Sequence, residues 1–159
     1  MFSIRKTVVA TGCLMMLAGV AYGETGWLKG SVDDKIKTLE DLQPGLGTIM
    51  MEYSARFTNA YYAAKGGNWD LAGYHIKEAR EIQEVGENTR PKRASSLKAF
   101  ESAFLDPLDK AIEAKDFKKF EVAFKAGVQG CNGCHAGQGF PYIKYELPKE
   151  PASPLSNKP

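Results

Sequence analysis

A stripe of apolar side chains at helical spacing leads directly into a cluster of two cysteines and one histidine. Its steps of three and four residues are those of one face of an α-helix. Cys131 lies one step beyond the last apolar residue, and His135 lies one turn further along. The cluster is therefore predicted to continue the buried face of a helix that begins at Asp116. The stripe consists of Phe117, Phe120, Phe124 and Val128.

Helical periodicity and helix-ending signals extend over most of the chain. They predict helices at about 44–65, 68–86, 96–115 and from 116 onward, with a shorter one at 31–42. Pro107 should kink or split the third long helix, with Asp106 capping a new start, and the polar stretch 87–96 should be a loop. Residues 140–147 are the one short strand-like segment. Four helices with short links predict an all-α fold, an antiparallel four-helix bundle over residues 24–147. The proline-rich segment 148–159 is expected to be an extended or flexible tail.

Residues 1–23 have the pattern of a secretory signal peptide. Arg5 and Lys6 precede an apolar run over residues 7–21, and the small residues Ala21 and Gly23 fit a cleavage site after Gly23. The expected location is the bacterial periplasm, with no stable membrane anchor after cleavage. An uncleaved anchor and a lipoprotein site at Cys13 are the alternatives.

The charge balance changes when the signal is removed. Lys and Arg fall from 21 to 19, which equals the 19 Asp and Glu, so the expected mature chain carries no formal net charge. No basic stripe interleaved with aromatic residues is visible. The sequence therefore predicts no nucleic-acid partner. It also predicts no enzyme, because no polar residue is evidently placed as an acid or base.

Three kinds of chemistry fit the segment Cys131-Asn-Gly-Cys134-His135. Two thiols at i and i+3 on one helical face can bond the two vinyl groups of one haem, and the adjacent histidine can bind the iron. A zinc site would need four ligands. The candidates are Cys131, Cys134, His135 and His75, and His75 is distant in sequence. A thioredoxin-like dithiol would need a βαβ context, which the pattern lacks. In an exported helical chain the residues favour one covalent haem c, attached to Cys131 and Cys134 with His135 as the axial ligand.

A haem between the helices would also explain the large aromatic content of a small bundle. Phe120 and Phe124 precede the motif on the same helix, and both are expected to pack against the haem. They would equally well fill a core without one.

Two segments of the sequence resemble a known family. They are YYAAKGGNWDLAGYHIKEAREIQE (residues 61–84) and CNGCHAGQGFPYIKYELP (residues 131–148). The chain from about 47 to 148 resembles small bacterial periplasmic c-type cytochromes of the cytochrome c′-like, four-helix-bundle class. Ala64 stands where that family usually has Gly. The resemblance implies a helical bundle with one covalent haem. It implies one-electron transfer with redox partner proteins, or the binding of small ligands, and a homodimer is compatible with it.

The ligand opposite His135 decides between these functions. Met50 shares a helical face with Tyr53 and Phe57, whereas Met51 lies about 100° away, so Met50 is predicted to be the sixth ligand. Both methionines could instead be core filler. His75 is a rival that would make the site bis-histidine. With no sixth ligand, the protein would be a five-coordinate haem protein that binds or senses NO or CO. Arg56 could face a haem propionate or solvent.

Overall fold

The structure, a computed structural model, describes residues 26–151, 153–155 and 157–159. Within these residues the regular elements are all helical, which confirms the all-α prediction. The predicted signal peptide lies outside them. No described helix combines the length and apolar character needed to cross a membrane. The elements are α1 Val32–Asp41, α2 Leu46–Lys65, α3 Trp69–Thr89, α4 Pro91–Phe100, a π-helical turn Glu101–Leu105, α5 Asp106–Glu113 and α6 Phe117–Gly137.

The chain divides into two units, residues 1–41 and 42–159. In the described part of the first unit, helix α1 forms as predicted. Its start is capped by Ser31 and Asp34, since the Asp34 carboxylate accepts hydrogen bonds from both the backbone N–H and the hydroxyl of Ser31. None of its residues is buried. Helix α1 is therefore stabilised locally and contributes nothing to a core.

In the second unit, α2 and α3 form a helical hairpin whose turn lies where it was predicted. Gly67 adopts a left-handed backbone conformation with φ of +82° just beyond the end of α2. The Asn68 side chain accepts a hydrogen bond from the backbone N–H of Leu71 at 3.1 Å and so caps α3. These local signals were sufficient to locate the turn.

The predicted end of α3 at Gly86 and the predicted loop at 87–96 are wrong. Helix α3 continues to Thr89, and α4 begins at Pro91 after the single non-helical residue Arg90. Gly86 is buried, and a Cβ atom there would lie 2.9 Å from Cδ1 of Leu46. This glycine therefore allows close packing of α2 on α3 and does not end the helix.

The predicted interruption before Pro107 is present. A π-helical turn separates α4 from α5, and Pro107 occupies the first turn of α5, where a missing N–H is tolerated. Asp106 does not cap this start, because no side-chain cap bond exists there. Its carboxylate instead accepts a hydrogen bond from Arg80 at 2.9 Å.

Helix α6 begins as predicted, with the Asp116 carboxylate accepting a hydrogen bond from the backbone N–H of Lys119. Aromatic rings fill the space between α6 and α2, and Phe57 stacks on Phe124 with ring centroids 4.4 Å apart. Gly127 makes this approach possible, since a Cβ there would lie 2.9 Å from the tip of the Phe57 ring. The core packed around these rings includes Tyr53, Ala60, Ala72, Ile76, Ala79, Phe100, Leu105, Leu108 and Phe120.

Residues 140–147 do not form a strand; a turn at 141–142 leads into residues 143–147, which have no regular secondary structure and are held against the helices. The Asn132 side chain supplies the two hydrogen bonds that a neighbouring strand would provide, accepting from the N–H of Tyr145 at 2.7 Å and donating to its carbonyl at 3.1 Å. The tail also lies against α2. Tyr62 donates to the carbonyl of Pro148 at 2.6 Å, and the N–H of Ser153 donates to Asn59 at 3.2 Å.

Candidate functional site

A cavity of about 660 Å³ lies between the end of α6, the start of α2, helix α4 and the segment 140–145 that follows α6. This volume falls within the range of about 300–1,000 Å³ that is usual for cofactor sites. The predicted ligand residues Cys131, Cys134, His135 and Met50 all line it. Residues from α2 and α6, which are far apart in sequence, thus line the same cavity.

The two cysteines are free thiols on the cavity side of α6. Burial, and to a smaller extent the neighbouring Cys134, raises the pKa of Cys131 to about 12. Cys131 is therefore a neutral thiol near neutral pH. A pair of adjacent thiols in an apolar cavity can form two bonds to one ligand.

His135 has a defined orientation. Its Nδ1 atom lies 2.9 Å from the carbonyl oxygen of Ile143. Because a carbonyl only accepts, Nδ1 carries the proton in this hydrogen bond. The Nε2 atom is then left with a lone pair, which is the form of imidazole that binds a metal.

Helix α2 supplies another part of the cavity lining. Met50 is half-buried and lines the cavity on the same helical face as Tyr53 and Phe57. Met51 also reaches the cavity, but 72% of it is exposed. Of the two thioethers, Met50 is the one more deeply enclosed by the protein.

Phe120 and Phe124 are not among the residues that line the cavity. Both are fully buried one layer behind it, where Phe124 stacks on Phe57. Cys131 follows Phe124 by seven positions, which is about 10 Å along a helix, and the ring of Phe57 reaches into that interval. Periodicity identified the correct face of α6 but gave no information about this crossing side chain. The aromatic rings that do line the cavity are Tyr53, Phe57, Phe100, Phe140 and Tyr145.

His75 and Arg56 lie away from the cavity lining. His75 is 1% exposed, and neither ring nitrogen has a hydrogen-bond partner among the described residues. Burial lowers its pKa, and the nearby positive charge of Arg56 lowers it further. Arg56 binds Glu52 at 2.7 Å and lies 3.7 Å from Glu78, so its charge is paired on the outer side of α2.

The cations that do line the cavity are Arg90, Arg93 and Lys144. The two arginines were not predicted to lie at the site, because the polar stretch 87–96 has the pattern of a loop. The signal that the sequence offered for these arginines was their spacing of three residues, just before the start of an apolar helical stripe. Uncharged polar residues also line the cavity, among them Tyr53, Ser54, Gln83, Ser96 and Gln138. The Tyr53 hydroxyl is buried with no partner in the described part of the chain, and burial raises its pKa well above the usual value. The Gln83 amide donates to Glu87 and to the carbonyl of Leu97.

No protein-family model, curated protein or solved structure matches the chain significantly. Within the described residues, no group of three or more His, Cys, Asp and Glu side chains is arranged to hold a metal ion by itself. The candidate ligands that share the cavity are two thiols, one imidazole and the thioethers of Met50 and Met51, in an otherwise largely apolar space.

Proposed function

We propose that this chain is an exported monohaem c-type cytochrome that transfers single electrons in the bacterial periplasm. In this proposal an antiparallel four-helix bundle holds one haem, attached through thioether bonds to Cys131 and Cys134. When bound, the haem supplies an iron that cycles between the ferrous and ferric states. The partners would be redox proteins.

One observation carries the proposal: the two thiols, the imidazole of His135 and the thioether of Met50 line the same cavity. A covalent haem requires two thiols on one side, an imidazole beside them and an apolar space large enough for a porphyrin. The residues present fit each of these needs. The hydrogen bond from His135 to Ile143 adds support, because it leaves Nε2 free to bind iron.

Met50 is proposed as the sixth ligand. A thioether opposite an imidazole raises the reduction potential and gives a low-spin iron suited to electron transfer. The protein contributes the geometry of these ligands and an apolar lining that limits the access of water. Both contributions keep the structural change between oxidation states small.

The buried hydroxyl of Tyr53 favours a second candidate, a five-coordinate haem protein that binds NO or CO. Tyr53 lines the cavity, and its hydroxyl is buried with no partner among the described residues. A buried donor without a partner is costly, so a polar ligand in the cavity would stabilise it. An iron-bound diatomic molecule is one such ligand.

Two measurements on the purified full-length gene product test the proposal. Haem staining after denaturing electrophoresis should be positive for the wild type and lost in the Cys131→Ser, Cys134→Ser double variant. A stain that survives in the double variant excludes covalent attachment at these thiols. The absorption spectrum should be that of low-spin, six-coordinate haem. A high-spin, five-coordinate spectrum would favour the gas-binding candidate, and the lack of a Soret band would overturn both.

Export has its own test. The intact mass of protein from the periplasm should correspond to a chain that begins at Glu24. A mass that includes residues 1–23 would indicate an uncleaved membrane anchor instead.

A further inference from the structure

The four arginines of the described chain fall into two pairs. Arg56 pairs with Glu52 and Glu78, and Arg80 lies within 4 Å of three carboxylates. Arg90 and Arg93 have no carboxylate partner among the described residues, and these are the two that line the cavity. The three carboxylates around Arg80 belong to Glu101, Asp106 and Asp109.

The cavity has positive groups and no negative side chains. Arg90, Arg93 and Lys144 line it, and no Asp or Glu of the described chain does. Both arginines are half-buried and start from one junction, since Arg90 is the residue between α3 and α4 and Arg93 follows three residues later. A partly buried positive charge in an apolar space is stabilised by an anion. The cavity is therefore built to accept an apolar ligand that carries negative charge.

Arg93 is held in place with most of its donors unused. Its Nη1 atom donates to the side-chain oxygen of Gln138, whose Nε2 atom donates to the hydroxyl of Ser96 at 3.0 Å. Its guanidinium carbon lies 5.9 Å from the ring centre of Phe140. A guanidinium has five N–H donors in a planar fork, so four remain for a carboxylate, enough for a bidentate pair.

Arg90 is more fully occupied. It donates to the carbonyl oxygens of Pro44 and Thr89, each at 2.7 Å, and more weakly to that of Gln43 at 3.4 Å. These bonds tie the segment before α2 to the junction of α3 and α4. Arg90 thus supplies charge to the cavity, whereas Arg93 has both the charge and the free donors.

We infer that Arg93, with Arg90 beside it, binds the propionate carboxylates of the haem. This inference rests on the proposed function. Arg93 thereby takes the role that the sequence suggested for Arg56, because the charge of Arg56 is already paired. Gln138 acts as a positioning residue, because it orients the Arg93 guanidinium without itself carrying charge. The alternative source of carboxylates for these two arginines is the acidic side chains of a docked redox partner.

The test is vibrational spectroscopy of the intact holoprotein with ¹³C-labelled haem propionates. Redox-difference infrared spectra of Arg93→Gln should show shifted propionate bands, and the midpoint potential should fall, because loss of a nearby positive charge favours ferric iron. Arg56→Gln is the matched control and should leave the labelled bands unchanged. Arg93→Lys keeps the charge but not the fork, so its bands should shift less. It also serves as the test variant if Arg93→Gln does not fold.

Each result is decisive. Labelled bands that do not respond in haem-containing Arg93 variants would overturn the inference and leave the proposed function standing. Unchanged bands together with weaker binding of an acidic redox partner would assign the arginines to docking and also overturn it. A wild-type protein without haem stain would overturn the proposed function first, and this inference with it.

Discussion

The Nδ1 atom of His135 lies 2.9 Å from the carbonyl oxygen of Ile143, eight residues further along the chain. The contact depends on the segment that follows α6. Asn132, one turn before His135 on α6, holds that segment by two hydrogen bonds to the backbone of Tyr145. The residue that would bind iron and the residue that secures its orientation thus lie on the same helix.

This arrangement predicts a specific histidine tautomer. In ¹⁵N NMR spectra of the reduced protein, His135 should carry its proton on Nδ1, and that proton should exchange slowly with solvent. Asn132→Ala should speed the exchange, because it releases Tyr145 and with it the carbonyl of Ile143. Asn88→Ala is the control, since Asn88 bonds only to a carbonyl within α3. A proton found on Nε2 would contradict the proposed orientation.

The two adjacent methionines give a matched pair of variants. Met50→Ala should convert a low-spin spectrum to high-spin, allow CO to bind the iron and lower the reduction potential, because a thioether stabilises ferrous iron. Met51→Ala should leave the spectrum nearly unchanged, since Met51 is largely exposed. If Met51→Ala alone changes the spin state, the ligand has been assigned to the wrong residue. If only His75→Ala does so, the site is bis-histidine.

Two glycines of the motif region should respond in opposite ways to the same substitution. A Cβ at Gly130 would lie 2.4–2.7 Å from the ring of Phe104, whereas a Cβ at Gly133 meets nothing within 4 Å. Gly130→Ala should lower the free energy of unfolding by about 1–3 kcal/mol through overpacking. Gly133→Ala should raise it by about 0.5–1 kcal/mol through helix propensity. Urea unfolding of both variants checks this, and equal effects would show that the ring moves away at little cost.

The buried His75 predicts a loss of stability in acid. Its folded pKa is lowered from about 6.5, so as the pH falls below that value the unfolded chain binds the proton first. The free energy of unfolding should therefore decrease from about pH 6.5 downward. In His75→Leu, the difference in unfolding free energy between pH 7.5 and pH 5 should be smaller than in the wild type.

Glu101 provides the control of opposite sign. Burial raises the pKa of this carboxyl, so its protonation on acidification favours the folded state. Glu101→Gln should consequently make the loss of stability in acid larger. An identical pH dependence in all three proteins would show that neither buried group titrates in the expected range.

Much of the local structure was predictable because its causes are local. The cap at Asn68, the cap at Asp116 and the interruption before Pro107 depend on hydrogen bonds and backbone restrictions within a few residues. The helical stripe likewise placed Cys131 and His135 on the inner face of α6. Each of these features needs only the chemistry of neighbouring residues in the sequence.

Other features were decided by contacts between distant parts of the chain. Gly86 has the appearance of a helix end, but the approach of Leu46 from another helix makes it a packing residue inside α3. Phe124 lies on the predicted face but behind the cavity, because Phe57 crosses from α2. The sequence suggested Arg56 for a propionate, yet among the described residues Arg56 meets carboxylates on α2 and α3, whereas Arg93 meets none. The sequence by itself determined most of the helices and the helical face that carries Cys131 and His135. Only the tertiary structure decided which side chains share the cavity, since that depends on which helices pack together and where each side chain reaches.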